Sequence, residues 1–162
     1  MTGRPTSPTV QVLAPLGGTL VTSAEVTDPV FAEGVIGPGL AILPDEPPDG
    51  GRVVVVAPCD GRLMSLYPHA AVVQVDDHRA VLVHLGLRTA QLDGEGFGAV
   101  VGNGELVRAG QPMLAWSPAQ VRSGGRSTVS PVVALQARVD DVLRLVNPGD
   151  RVSEGQPVLL WS

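Results

Sequence analysis

Apolar residues in this chain come in short runs and not at helical spacing. VVVVA at 53–57, AVLVH at 80–84 and PVVAL at 131–135 are rich in β-branched residues and flanked by turn formers, which is the pattern of strands. Twenty glycines and fifteen prolines punctuate the runs, so the strands must be short and many. Helix is a minor component. DDVLRLV near Asp140 predicts about two turns and SPAQVRSG near Ser117 about one. The expectation is an all-β fold with short helical turns. MTGRPTSPT, residues 1–9, is expected to be a disordered leader, leaving residues 10–162 as a single domain.

Two echoes run through the pattern. GELVRAGQPMLAW at 104–116 returns as GDRVSEGQPVLLW at 149–161, with seven of thirteen positions identical. APLGGTL at 14–20 returns as APCDGRL at 57–63. Two repeats at similar offsets imply two related β-halves packed together, since a solenoid would need at least about three.

The chemistry-bearing residues cluster in HAAVVQVDDHRAVLVHLG, where His69 and His84 stand fifteen residues apart. The segment reads as a hairpin. With Asp76-Asp77 as a two-residue loop, position 69 opposes 84, and a four-residue loop still leaves both on one face. Only an odd loop or a bulge would separate them. An imidazole titrates near pH ~6.5, so such a pair is largely neutral and nucleophilic at cellular pH, which suits phosphoryl transfer. One ring can attack phosphorus while the other donates to the transferring oxygens. His78, beside Asp76, Asp77 and Arg79, reads as a solvated turn residue.

Composition excludes several alternatives. All eleven basic residues are arginine, and without lysine there is no lipoyl or biotinyl attachment, Schiff base or Walker-type phosphate loop. A net charge of −5 without basic clusters speaks against nucleic-acid binding. Cys59 is the only cysteine, so no internal disulfide forms, and it is expected in the core. No run approaches the ~20 apolar residues of a membrane span, so no direct membrane insertion is expected and the protein is read as cytoplasmic.

VHLGLRTAQLDGEGF from Val83, FAEGVIGPGLAILP at 31–44, APCDGRL at 57–63 and RSTVSPVVALQ at 126–136 together resemble the glucose-type enzyme IIA of the bacterial phosphoenolpyruvate-dependent sugar phosphotransferase system. The resemblance runs from about residue 12 to the C-terminus. It implies a duplicated β-sandwich, or barrel-sandwich hybrid. It also implies that His84 is the phosphorylated nucleophile, that His69 stabilises the phosphoryl group, and that the Gly86 backbone carbonyl orients His84. The implied activity is a phosphotransferase relay from the histidine phosphocarrier protein, through His84, to a cysteine on enzyme IIB of a sugar permease. No cofactor is required, although the resemblance allows a zinc at His69 and His84 completed by a partner carboxylate. Asp28 resembles a docking acid. Val30, Phe31 and Phe97 would line an apolar docking rim by resemblance, whereas the sequence alone assigns them to the core.

Two positions depart from the pattern. Arg88 stands where the family typically has an aspartate that helps dock the basic phosphocarrier, reversing a charge four residues from His84. Tyr67 stands two residues before His69, where many relatives carry a threonine that bonds the supporting histidine. An alternative of another class is a regulatory binding module, whose docking on transporters or metabolic enzymes depends on His84 phosphorylation. A catalytic zinc site of the peptidase type would show an H-x-H pair, and Gly86 occupies the second position of that motif.

Overall fold

The computed structural model describes residues 8–162, so residues 1–7 of the expected leader lie outside the described residues. Pro8 and Thr9 are exposed and precede the first strand. The chain then forms β1 (Val10–Leu13), β2 (Gly18–Leu20), the one-turn helix α1 (Pro29–Ala32), β3 (Gly39–Pro44), β4 (Val53–Val56), β5 (Gly61–Tyr67), β6 (Ala70–Gln74) and β7 (Ala80–His84). There follow β8 (Phe97–Ala99), β9 (Leu106–Val107), β10 (Pro112–Trp116), α2 (Pro118–Ser123), β11 (Ser130–Ala134), β12 (Val142–Arg144), β13 (Arg151–Val152) and β14 (Pro157–Trp161). Single 3-10 turns occupy 23–25, 89–92 and 139–141.

All pairings are antiparallel. One sheet has eight strands in the order β13-β2-β3-β11-β7-β6-β5-β9, and two three-stranded sheets run β1-β14-β12 and β4-β10-β8. The order is palindromic. Exchanging β4 to β10 with β1, β2, β3, β11, β12, β13 and β14 maps the small sheets onto each other and the large sheet onto itself. The repeats seen in the sequence are the matching pieces of this exchange. Gly110 N–H donates to Ala57 C=O and Ala57 N–H to Gln111 C=O, while Gly155 N–H donates to Ala14 C=O and Ala14 N–H to Gln156 C=O, all at 2.8–2.9 Å. Even the register shift between Pro112 and Leu114 against β4 recurs between Pro157 and Leu159 against β1. The expected duplicated, mostly β architecture is what the structure has.

The shared core draws on all three sheets, with Val12, Val55, Val83, Leu114, Val132 and Leu159 at most 1% exposed. β11 is buried along its whole length, because residues 21–38 cross the outer face of the large sheet. There Val21, Val26, Ala41, Leu87 and Val129 form a second apolar cluster capped by Phe31 and Ala32.

Two local expectations fail. DDVLRLV is not a two-turn helix: a 3-10 turn at 139–141 passes into β12, whose Leu143 pairs with Leu160. The apolar spacing there serves an edge strand, and strand pairing overrides a weak helical preference. The 69–84 hairpin has an odd loop, with Val75 bonded to Arg79, so Ala70 and not His69 opposes His84. Asp76 closes this loop by accepting from the backbone N–H groups of His78 and Arg79 at 2.9 and 2.8 Å, an Asx-type turn. His78 is exposed at its tip, as expected.

Candidate active site

His69 reaches His84 from a different turn. β5 and β6 pair up to Tyr67 and Ala70, leaving Pro68-His69 as a two-residue loop. Proline presets the φ angle of the first loop position, and the turn throws the His69 ring beyond the end of the sheet instead of onto a strand face. The two imidazole centroids lie 5.1 Å apart at 72°. The expected pairing of the histidines therefore holds, although the hairpin register proposed for it does not.

His84 is the last residue of β7 and is partly buried. Its Nδ1–H donates to the Gly86 carbonyl oxygen at 2.6 Å, which keeps the ring proton on Nδ1 and leaves Nε2 of the neutral ring unprotonated and free. Gly86 turns back at φ 77°, a conformation glycine adopts without strain. A Cβ there would sit 2.6 Å from both the Ser127 carbonyl oxygen and Thr89 Cγ2. Burial pushes the His84 pKa down, while the Gly86 hydrogen bond and the Asp28 carboxylate pull it back up, with a net lowering. His69 is also lowered, by burial and then by its neighbour His84. Both rings are thus held toward the neutral form.

Aromatic residues make up only 3% of the chain, yet both phenylalanines and the tyrosine surround this pair. Phe31 lies 5.1 Å from His84, Tyr67 5.9 Å and Phe97 6.5 Å from His69, and Phe97 stacks on Trp116 at 5.9 Å. Val30 is exposed and Phe31 partly so, as rim residues must be. Phe97 is 7% exposed and belongs to the main core, so it is the floor of the site and not part of its rim. The Tyr67 and His69 rings are tilted by 31° to each other. Among the described residues no side chain hydrogen-bonds the His69 ring.

Asp28 caps α1, its carboxylate accepting from Val30 N–H at 3.0 Å, with Pro29 in the first helical position. Arg88 is exposed at φ 59°. It follows Leu87, which bridges to Ser127, so Arg88 and Arg126 flank the same antiparallel bridge. An extended cationic side chain is an uncommon occupant of left-handed backbone, which asparagine and aspartate tolerate better.

Two imidazoles could begin a zinc site. Among the described residues no third histidine, cysteine or carboxylate joins them, so a zinc here would need ligands from a partner. Cys59 is buried, its thiol pushed up to about 12 by burial and by Asp60, which makes it an inert core residue as expected. The residues that sequence reasoning missed are Thr89, Ser127 and Ser130, which frame Gly86. They lie inside recognised motifs, but nothing in a hydroxyl's sequence position separates a buried hydrogen-bonding role from an ordinary turn.

The family model described as phosphoenolpyruvate-dependent sugar phosphotransferase system, EIIA 1, matches residues 10–139. A glucose-specific EIIA component of the PTS system from Bacillus cereus is 37% identical over 124 residues, covering 75% of this chain and 72% of that protein. One from Staphylococcus aureus is 35% identical over 133 residues, covering 81% and 76%. Among solved structures, glucose permease IIA from Mycoplasma capricolum is similar with a TM-score of 0.82 at 32% identity, covering 95% of this chain and 96% of that one.

Proposed function

The chain belongs to the EIIA 1 family of the phosphoenolpyruvate-dependent sugar phosphotransferase system, and on that footing we propose that it is a phosphohistidine carrier working on His84. The observation that carries the reading is the 2.6 Å contact from His84 Nδ1 to the Gly86 carbonyl, which leaves Nε2 as the nucleophile. In the forward step Nε2 forms an N–P bond as the N–P bond of the phosphorylated histidine phosphocarrier breaks, and the proton stays on Nδ1, hydrogen-bonded to the Gly86 carbonyl. His69 donates an N–H to the transferring oxygens, and Phe31, Tyr67 and Phe97 exclude the water that would hydrolyse the intermediate. Attack by a cysteine thiolate of enzyme IIB then forms a P–S bond and returns His84 to neutral imidazole. We place it in the cytoplasm, since its partners act there. No helix among the described residues is long and apolar enough to cross a membrane.

Asp28, Val30, Phe31 and Arg88 form the docking surface in this reading. Arg88 supports a second role, in which docking on transporters or metabolic enzymes depends on phosphorylation, because it puts an exposed cation four residues from His84, where a phosphoryl group would add a charge of about −2. The deciding experiment incubates the protein with phosphoenolpyruvate, enzyme I and the histidine phosphocarrier. Acid-labile phosphate on wild type and none on His84→Ala is the expected result. A wild type that stays unlabelled beside a competent control would overturn the carrier reading and leave a binding module whose docking does not depend on this phosphate.

A further inference from the structure

Hydroxyls are costly to bury unless each one is hydrogen-bonded. Among the described residues the two hydroxyl side chains with no exposure at all are Thr89 and Ser130. Both bind the same peptide group. Thr89 Oγ1 donates to the Leu85 carbonyl at 2.6 Å, and the Gly86 N–H across that peptide bond donates to Ser130 Oγ at 3.2 Å. Ser130 Oγ passes its own proton to the Thr128 carbonyl at 2.9 Å, so each hydroxyl has one defined direction. The next peptide group is held as well, because Leu87 N–H donates to the Ser127 carbonyl at 3.0 Å while the Gly86 carbonyl accepts from His84. Gly86, at φ 77°, is therefore a swivel whose two flanking planes are both fixed.

We propose that Ser130 and Thr89 are positioning residues for phosphoryl transfer, acting through the Leu85–Gly86 peptide to aim the Gly86 carbonyl at His84 and so select the tautomer that leaves Nε2 free. A glycine at positive φ has little torsional preference of its own, which is why the planes beside it need external partners. The same segment ties the second histidine to this frame, since Leu85 N–H donates to the His69 carbonyl at 2.8 Å. Ser130 comes from β11, the strand beside β7 in the large sheet, so the aim of the ring depends on that strand pair staying in register.

Nitrogen chemical shifts of the His84 ring, read by NMR, report the tautomer without any transfer partner. Ser130→Ala and the near-isosteric Thr89→Val are expected to raise the population of the other tautomer. Both should slow phosphoryl acceptance at saturating phosphocarrier by about tenfold or more with KM unchanged, as small misplacements of reacting groups do. Ser130→Thr and Thr89→Ser, which keep the hydroxyl, should restore both readings. Variants that melt earlier but keep the wild-type tautomer and saturated rate would overturn the proposal, as would failure of both hydroxyl-free variants to fold, since either result makes the hydroxyls purely structural. The proposal's rate prediction rests on the carrier reading. A wild type that takes no phosphate would sink that reading alone, because the tautomer comparison stands without it.

Discussion

The two halves of the molecule share a hydrogen-bonded frame and differ in what they hang on it. The strand register carries β5 and β6 onto β2 and β3, and His84, which opposes Ala70, onto Val133, which opposes Gly39. In one half the connection between the paired strands is Pro68-His69, two residues long. In the other it is the long crossing at 21–38, which carries Asp28, Val30 and Phe31 across the outer face of the sheet. One half supplies both imidazoles, and the other supplies the charged and apolar cover over them. The difference teaches that the frame is shared between the halves where backbone groups must be paired in the interior, while what surrounds the strand-end His84, namely His69, Asp28, Val30 and Phe31, comes from connections that are free to vary.

That contrast can be broken first at the two tryptophans that close the repeats. Trp116 and Trp161 hold matching positions against β4 and β1 and are 0% and 4% exposed. Replacing either with alanine should cost about 3–5 kcal/mol in denaturant titrations. Only Trp116→Ala should also disturb the histidines, because Trp116 carries Phe97 beneath His69, whereas Trp161 packs against Arg79. Equal disturbance of the His69 ring resonances by both variants would mean that the site is not local to one half.

A smaller effect tests whether the frames are energetically alike. Gln111 Oε1 accepts from Arg108 N–H at 3.1 Å, and Gln156 Oε1 from Ser153 N–H at 3.0 Å. Each alanine substitution should cost about 0.5–1.5 kcal/mol, and the two should agree. One half does carry an additional brace, Asp60 accepting from Ala109 N–H at 2.7 Å where the other half has Gly17. If Gln156→Ala proved clearly the more damaging, that brace would be compensating in the first half.

The gentlest effect is a pH dependence confined to the half with the histidines. Both rings have folded pKa values lowered below the ordinary 6.5, so the unfolded chain takes up protons first on acidification. Stability from keeping the rings neutral is full above that value and drains as pH falls toward the folded values, before the lowered carboxylates Asp45 and Asp76 begin to titrate. Stability measured from pH 8 down to 5 should decline in wild type, and replacing both histidines with asparagine should flatten the curve. An unchanged slope in that double variant would place the acid sensitivity elsewhere.

Legibility followed the range of the interaction concerned. β4, β7 and β11 were readable because a run of β-branched residues between turn formers is a local signal, and the repeated G-Q-P segments expose the duplication in the sequence itself. His69 and His84 could be named as a pair from their residue type and motif. Their meeting could not be derived from hairpin register, because Asp76 closes an odd loop and a second turn delivers His69. At Phe97 the sequence alone reads as core and the resemblance as rim, and the stack on Trp116 settles it as core.

By itself, then, the sequence determined a strand-rich duplicated chain and an inert buried cysteine and singled out an imidazole pair as the candidate site, since each rests on residue type and near-neighbour pattern. Only the tertiary structure decided that DDVLRLV becomes an edge strand, that residues 21–38 cover the sheet and that two buried hydroxyls fix the peptide before Gly86. Those outcomes depend on contacts between residues far apart in the chain, such as Gly86 with Ser130, and the energy of such a contact has no trace in the local order of side chains.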